Sequence, residues 1–163
     1  MDRFLRNLFI TRFALRRAFP DPALARIEEA VRASEAQHGG EIRVAIETSL
    51  DLGMLLRGQT ARDRAVQAFS ELRVWDTEDN NGVLVYLLLS ERDVEIVADR
   101  GYEGRVAEPE WQHVCDRMRP ELEQGRYEKG VVTGIEMITA TISRHFSRAE
   151  RDIDELPNRP GIL

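Results

Sequence analysis

With 163 residues, 23 of them Lys or Arg and 29 Asp or Glu, the chain has the length of one domain and a net charge of −6, and a domain of this size buries roughly 70% of the surface its unfolded chain exposes. That charge opposes nonspecific attraction to phosphate backbones and anionic lipid, which argues against a nucleic-acid partner. A single cysteine, Cys115, excludes an internal disulfide, and its apolar helical neighbourhood makes it a small packed hydrophobe rather than a nucleophile.

The chain opens MDRFLRNLFITRFALRRAFPDP, where Arg3, Arg6, Arg12, Arg16 and Arg17 interrupt every apolar run. A secretory signal needs roughly 7–15 apolar residues together and a spanning helix about 18 or more, so the expected location is the cytoplasm. Residues 1–20 read instead as an amphipathic helical arm, with Phe4, Leu5, Leu8, Phe9, Phe13 and Leu15 opposite the arginines. Its favoured use is to cover an edge of the core. Pairing with another subunit, or peripheral membrane contact through residues 1–19, are the alternatives.

Asp21 and Pro22 then open a helix as N-cap and first helical residue. Leu24, Ile27 and Val31 recur at helical spacing, and Gly39-Gly40 stops it. EIRVAIE (41–47) alternates with period two, giving a strand with one polar face or one lining a pocket. After a connector over 48–59, Thr60 and Asp63 form a capping pair for a second helix carrying Ala65, Phe69 and Leu72.

The turn-rich segment WDTEDNNG (75–82) leads into VLVYLLL (83–89), apolar enough to be buried on both faces. Three polar residues, Ser90 to Arg92, return the chain as DVEIVAD (93–99), which predicts an antiparallel hairpin. A helix opening near Pro109 carries Trp111, Val114, Cys115, Met118 and Leu122, with Pro120 as a possible kink or break. Another, from about Glu128 to Phe146, carries Val131, Ile135, Ile138 and Ile142. The fold class is α/β: a three-layer α/β/α sandwich whose mixed central sheet contains the hairpin 83–89/93–99. The organisation is an arm (1–20), one domain (21–147) and an extended C-terminal tail (148–163) that is pinned to the surface or disordered.

Phosphate loops, the HExxH zinc helix and the GxSxG elbow are missing, which removes nucleotide and zinc as cofactors. His38, His113 and His145 lie on or just after separate helices without a second soft ligand, and each is read as a surface or helix-end residue. Oxygen chemistry remains. Asp76, Glu78, Asp79, Asn80 and Asn81 gather oxygen-bearing side chains ahead of the hairpin, the donor type that Ca²⁺ or Mg²⁺ prefers, although acidic turns are more often simply solvated. Asp99 ends the returning strand before Arg100-Gly101. It can cap that loop, join Glu41 or Glu103 as an oxygen ligand, or pair with Arg100 or Arg105.

Taken together, GEIRVAIE, NNGVLVYLLL, ERDVEIVADRGYEG, EW, LEQGRYEKGVVTGIEMITATISRHF and DELPN, in that order, resemble the TPM domain family over roughly residues 25–158, and most resemble its short cytoplasmic bacterial branch. The resemblance implies a compact α/β/α domain. It also implies metal-binding loops at one end of the sheet, chiefly for calcium, carried here by Asp76 to Asn81 and by Asp99, with Gly101 turning the second loop and Trp111 and Tyr127 in the core. Thylakoid-lumen members are associated with photosystem II repair and described as acid phosphatases, and other branches carry an export signal or a membrane anchor that this sequence does not show. The expected function is a divalent-cation-binding interaction or assembly module with a protein partner, and the alternative is a metal-assisted acid phosphatase acting on phosphomonoesters.

Overall fold

The computed structural model describes residues 3–9, 12–147 and 154–163. The side chains of Leu8 and Phe9, and residues 148–153 of the tail, lie outside them. The arm comprises α1 (Arg3–Phe9) and α2 (Arg12–Ala18). The domain continues with α3 (Asp21–Glu35), β1 (Glu41–Glu47), α4 (Leu52–Leu56), α5 (Ala61–Glu71), β2 (Gly82–Leu88), β3 (Asp93–Ala98), a 3-10 turn at Arg100–Tyr102, α6 (Glu108–Glu123), α7 (Tyr127–Ser143) and β4 (Gly161–Ile162).

The four strands form one sheet in the order β3-β2-β1-β4. β1 runs parallel to β2 and to β4, while β2 and β3 form the antiparallel hairpin, with Val83 opposite Ala98 and Leu88 opposite Asp93. Every residue of β2 is buried, as its unbroken apolar run requires of an interior strand covered on both faces. On one side Ile42, Val44, Ile46, Val83, Val85 and Leu87 pack with the apolar faces of α3, α6 and α7. On the other, Ala45, Leu84, Tyr86 and Leu88 meet Leu55 of α4 and Ala61, Ala65 and Ala68 of α5. The result is the expected α/β/α sandwich.

Local chemistry sets the helix ends. The hydroxyl of Thr60 accepts from the Asp63 amide, and the Asp63 carboxylate accepts from the Thr60 amide at 2.9 Å, a complete capping box. At α3 the cap position falls to Pro20 rather than Asp21, a one-residue shift. Pro120 does not break its helix. It sits in the last turn of α6, which continues to Glu123 while Met118 and Leu122 stay in the core.

Three further expectations are corrected. The connector over 48–59 contains α4, started by Asp51 accepting from the Met54 amide at 2.8 Å. The alternate face of β1 is not polar surface, because Glu41, Ala45 and Glu47 are all buried under other elements. His38 has the helix-end position expected of it, just beyond α3, but it is no surface residue: it is fully buried, its imidazole bonded between Ser34 and the Gly40 amide. At the carboxyl end of the sheet α1 seals the hairpin turn. The side-chain oxygen of Asn7 accepts from the Leu50 amide (2.8 Å) and the Ser90 hydroxyl (2.7 Å), and Arg3 pairs with Glu91 at 2.7 Å.

Candidate cation site

The antiparallel pairing of β2 and β3 puts the start of one beside the end of the other. The turn over 76–81 and the Asp99 loop therefore share the end of the sheet where β1 also begins. Main-chain bonds join the two loops: the Asp99 amide donates to the Gly82 carbonyl and the Gly101 amide to the Asn80 carbonyl, both at 2.9 Å. Position 101 has to be glycine for this approach, since a Cβ there would lie 2.4 Å from the Asn80 carbonyl oxygen. Asn80 adopts φ 52°, a left-handed conformation that asparagine tolerates well. Its side-chain oxygen accepts from the Arg100 guanidinium at 2.7 Å.

The acidic side chains of the turn face outward. Asp76, Glu78 and Asp79 are exposed, as is Glu103 in the facing loop. Among the described residues one trio of carboxylates brings its oxygens within 4.8 Å of one another: Glu35, Glu41 and Asp154. They come from the end of α3, the start of β1 and the C-terminal segment. Glu35 accepts from the Ile42 amide at 3.0 Å, which turns the end of α3 toward the start of β1. Asp154 is exposed and accepts from the Asn158 side-chain amide at 2.9 Å.

Glu41 is the buried member, 4% exposed. Burial pushes its carboxyl up to about 7, the Leu156 and Glu155 amides partly offset this, and the charges of Asp154 and Glu155 raise it further. The Leu156 amide lies 3.1 Å from its carboxylate. Three oxygens close by are also buried without a hydrogen-bond partner: Oδ1 of Asn81, Oδ2 of Asp99 and Oδ1 of Asn158. Asn81 lies next to Glu41 through its carbonyl, which accepts from the Glu41 amide (3.3 Å) and the Tyr102 hydroxyl (2.9 Å). The Tyr102 phenol is pushed up first by burial and then by the charges of Asp99 and Glu41, which places both carboxylates around one ring. The Asp99 carboxylate caps its own loop with Oδ1, accepting from the Arg100 amide at 2.7 Å, and leaves Oδ2 unpaired. This end of the sheet thus gathers hard oxygen donors around one buried carboxylate, Glu41.

Sequence reading singled out Glu41, Asn81 and Asp99, but missed Glu35 and Asp154. Glu35 looks like any polar residue at a helix end. Asp154 lies in a tail with no periodic pattern, although it opens the DELPN segment, and that motif is the signal that could have found it.

Ser34 and His38 look at first like a nucleophile and its base, 2.9 Å apart. The protons run the wrong way. The Gly40 amide donates to Nδ1, so in the neutral ring Nε2 carries the hydrogen and donates to Ser34 Oγ. Ser34 then donates to Thr139 Oγ1 (2.5 Å), and Thr139 donates to the Ile135 carbonyl (2.7 Å). Burial holds His38 down near 4, so the ring stays neutral and joins α3 to α7. The Cys115 thiol, pushed up to about 12 by burial, is likewise inert.

The TPM domain family model matches residues 17–141. Among solved structures, the BA42 protein from the psychrophilic bacterium Bizionia argentinensis is 28% identical, with a TM-score of 0.76 over 95% of this chain and 96% of that one. The N-terminal domain of a protein from P. gingivalis is 21% identical, with a TM-score of 0.62 over 80% and 82% of the two chains, and shares the fold. No curated protein matches the sequence. Among the described residues no helix is long and apolar enough to cross a membrane.

Proposed function

Since this chain belongs to the TPM domain family, with most of its length matched, we propose that it uses the shared sheet to hold a divalent cation between Glu35, Glu41 and Asp154 and acts as a cation-steadied interaction or assembly module. The observation that carries this reading is Glu41: a buried carboxylate that meets no cation among the described residues, held near 7 and within 4.8 Å of two more carboxylates. Carboxylate and amide oxygens select Ca²⁺ or Mg²⁺ over softer metals. A bound cation would supply the charge that Glu41 lacks and would tie the C-terminal segment to β1 and α3 at one point. Asn81, Asp99 and Asn158 offer further oxygens at the margin. Exposed Asp76, Glu78 and Asp79 raise the local negative potential that draws a cation in.

Calorimetric titration with Ca²⁺ and with Mg²⁺ at pH 8 tests this. The expected result is saturable binding that Glu41→Gln reduces at least tenfold and that weakens as pH falls below about 7, where protons compete for Glu41. Unchanged affinity in Glu41→Gln, or no binding by wild type, removes the site. Asp99→Asn should cause a smaller loss, and Asp76→Asn and Asp79→Asn the least.

A further inference from the structure

Without the last residues of the chain, the outer edge of β1 would be an unpaired strand edge, the part of a sheet most prone to accept another strand. Residues 154–163 cover it. Their burial alternates: Leu156, Asn158 and Pro160 are buried, while Pro157 and Arg159 between them are exposed. This is how extended peptides are recognised at sheet edges, with main-chain bonds for affinity and alternate side chains in pockets for specificity.

The contacts follow β1 from end to end. Glu41 accepts from the Leu156 amide (3.1 Å), and one Arg43 nitrogen donates to the carbonyls of Pro157 and Arg159 (2.6 Å each). Ala45 and Ile46 then pair with Gly161 and Ile162, and the Leu163 amide donates to the Ile46 carbonyl at 3.0 Å. Leu156 is the apolar anchor, packed in the same cluster as Ala45 and Leu84. Gly161 lies beside the Arg43 guanidinium, whose nitrogen is 2.8 Å from where a Cβ would stand.

We infer that the edge of β1 is a sequence-selective peptide groove that accepts the Leu156–Leu163 segment of a second copy of this chain as well as its own. The ladder proper is only two residues long, so a few side-chain anchors hold the segment, and such a docking is reversible. In cis the segment has the advantage of an effective concentration on the order of millimolar. Exchange between copies follows when the resident segment is released. None of these contacts requires a bound cation.

The test uses the full chain carrying Leu156→Asp, which weakens its own segment, and a fluorescently labelled peptide of residues 154–163, with anisotropy read in the presence of EDTA. The expected result is saturable binding at least tenfold tighter than to wild type, whose own segment competes. Adding Arg43→Ala to the protein, or Leu156→Asp to the peptide, should each weaken binding about tenfold or more. A Leu156→Asp chain that keeps the wild-type circular dichroism spectrum yet fails to bind, or that binds a scrambled peptide equally well, overturns the inference. If Leu156→Asp does not fold, wild type decides: titrated into the millimolar range, it must bind the peptide and not its scrambled form. Because EDTA is present throughout, failure here is distinct from failure of the cation reading.

Discussion

Two buried glutamates stand at opposite ends of β1, and they are handled in opposite ways. Glu47, at the carboxyl end, is 8% exposed and enclosed by partners: Arg64 at 2.9 Å and the Tyr86 hydroxyl at 2.6 Å, with Arg64 also bonded to Glu71 at 2.9 Å. Glu41, at the amino end, is as deeply buried but faces carboxylates and main-chain amides. A buried charge persists when it is paired, and otherwise it holds its proton or recruits an ion. One strand therefore contains an ion-pair network at its carboxyl end and, at its amino end, a buried carboxylate that meets no cation among the described residues.

Breaking the ion-pair network should have the largest effect. Arg64→Met leaves Glu47 buried without its cation and should lower unfolding stability by about 3–5 kcal/mol in urea titration. At the other end the sign reverses. The folded-state pKa of Glu41 is raised to about 7, so its stabilising contribution is fully present below its unfolded pKa of about 4.5 and is lost as pH rises through 7. Glu41→Gln should then be more stable than wild type at pH 8, by on the order of 3 kcal/mol, and no more stable at pH 4.

His38, across the Gly39-Gly40 bend, works against Glu41. Its folded pKa is depressed to about 4, so the stability it contributes is present above about 6.5 and is lost as pH falls toward 4. Wild type should show a flattened stability profile between about pH 4.5 and 6.5, because the two residues oppose each other there. Glu41→Gln should make the acid limb steeper in thermal melts recorded across that range. A smaller effect separates the two ends by ligand: Ca²⁺ at about 100 times its Kd should raise stability by about 2.7 kcal/mol at pH 8, equally in wild type and in Glu71→Gln but not in Glu41→Gln. Smallest of all, Asp76→Asn should move stability by no more than about 0.5 kcal/mol, because the side chain is exposed.

The legible parts of this molecule are those where a local pattern repeats. The apolar run of β2 announced an interior strand, the three polar residues after it announced the hairpin, and Thr60 with Asp63 announced a helix start. These are short-range signals with a fixed period or spacing. The site is different in kind. Glu41 meets the tail at Leu156, 115 positions away along the chain, and Asp154 joins Glu41 and Glu35 only because that tail folds back beside β1. The period-two pattern alone does not separate Glu41 from Glu47, which alternate identically along the strand. What separates them is Arg64, one helix away, and that pairing exists only in the folded sandwich.

The docking of α1 bears on where this protein's cooperative unit ends. The region matched by the family begins at residue 17, yet Asn7 satisfies the Leu50 amide and the Ser90 hydroxyl, both in buried positions near the hairpin turn. A chain trimmed to the matched region would leave those two donors without that acceptor, at a cost of about 1–3 kcal/mol for each one left unsatisfied. The unit that folds is therefore longer than residues 17–141, and expression boundaries set at that span would yield a domain weakened at its turn.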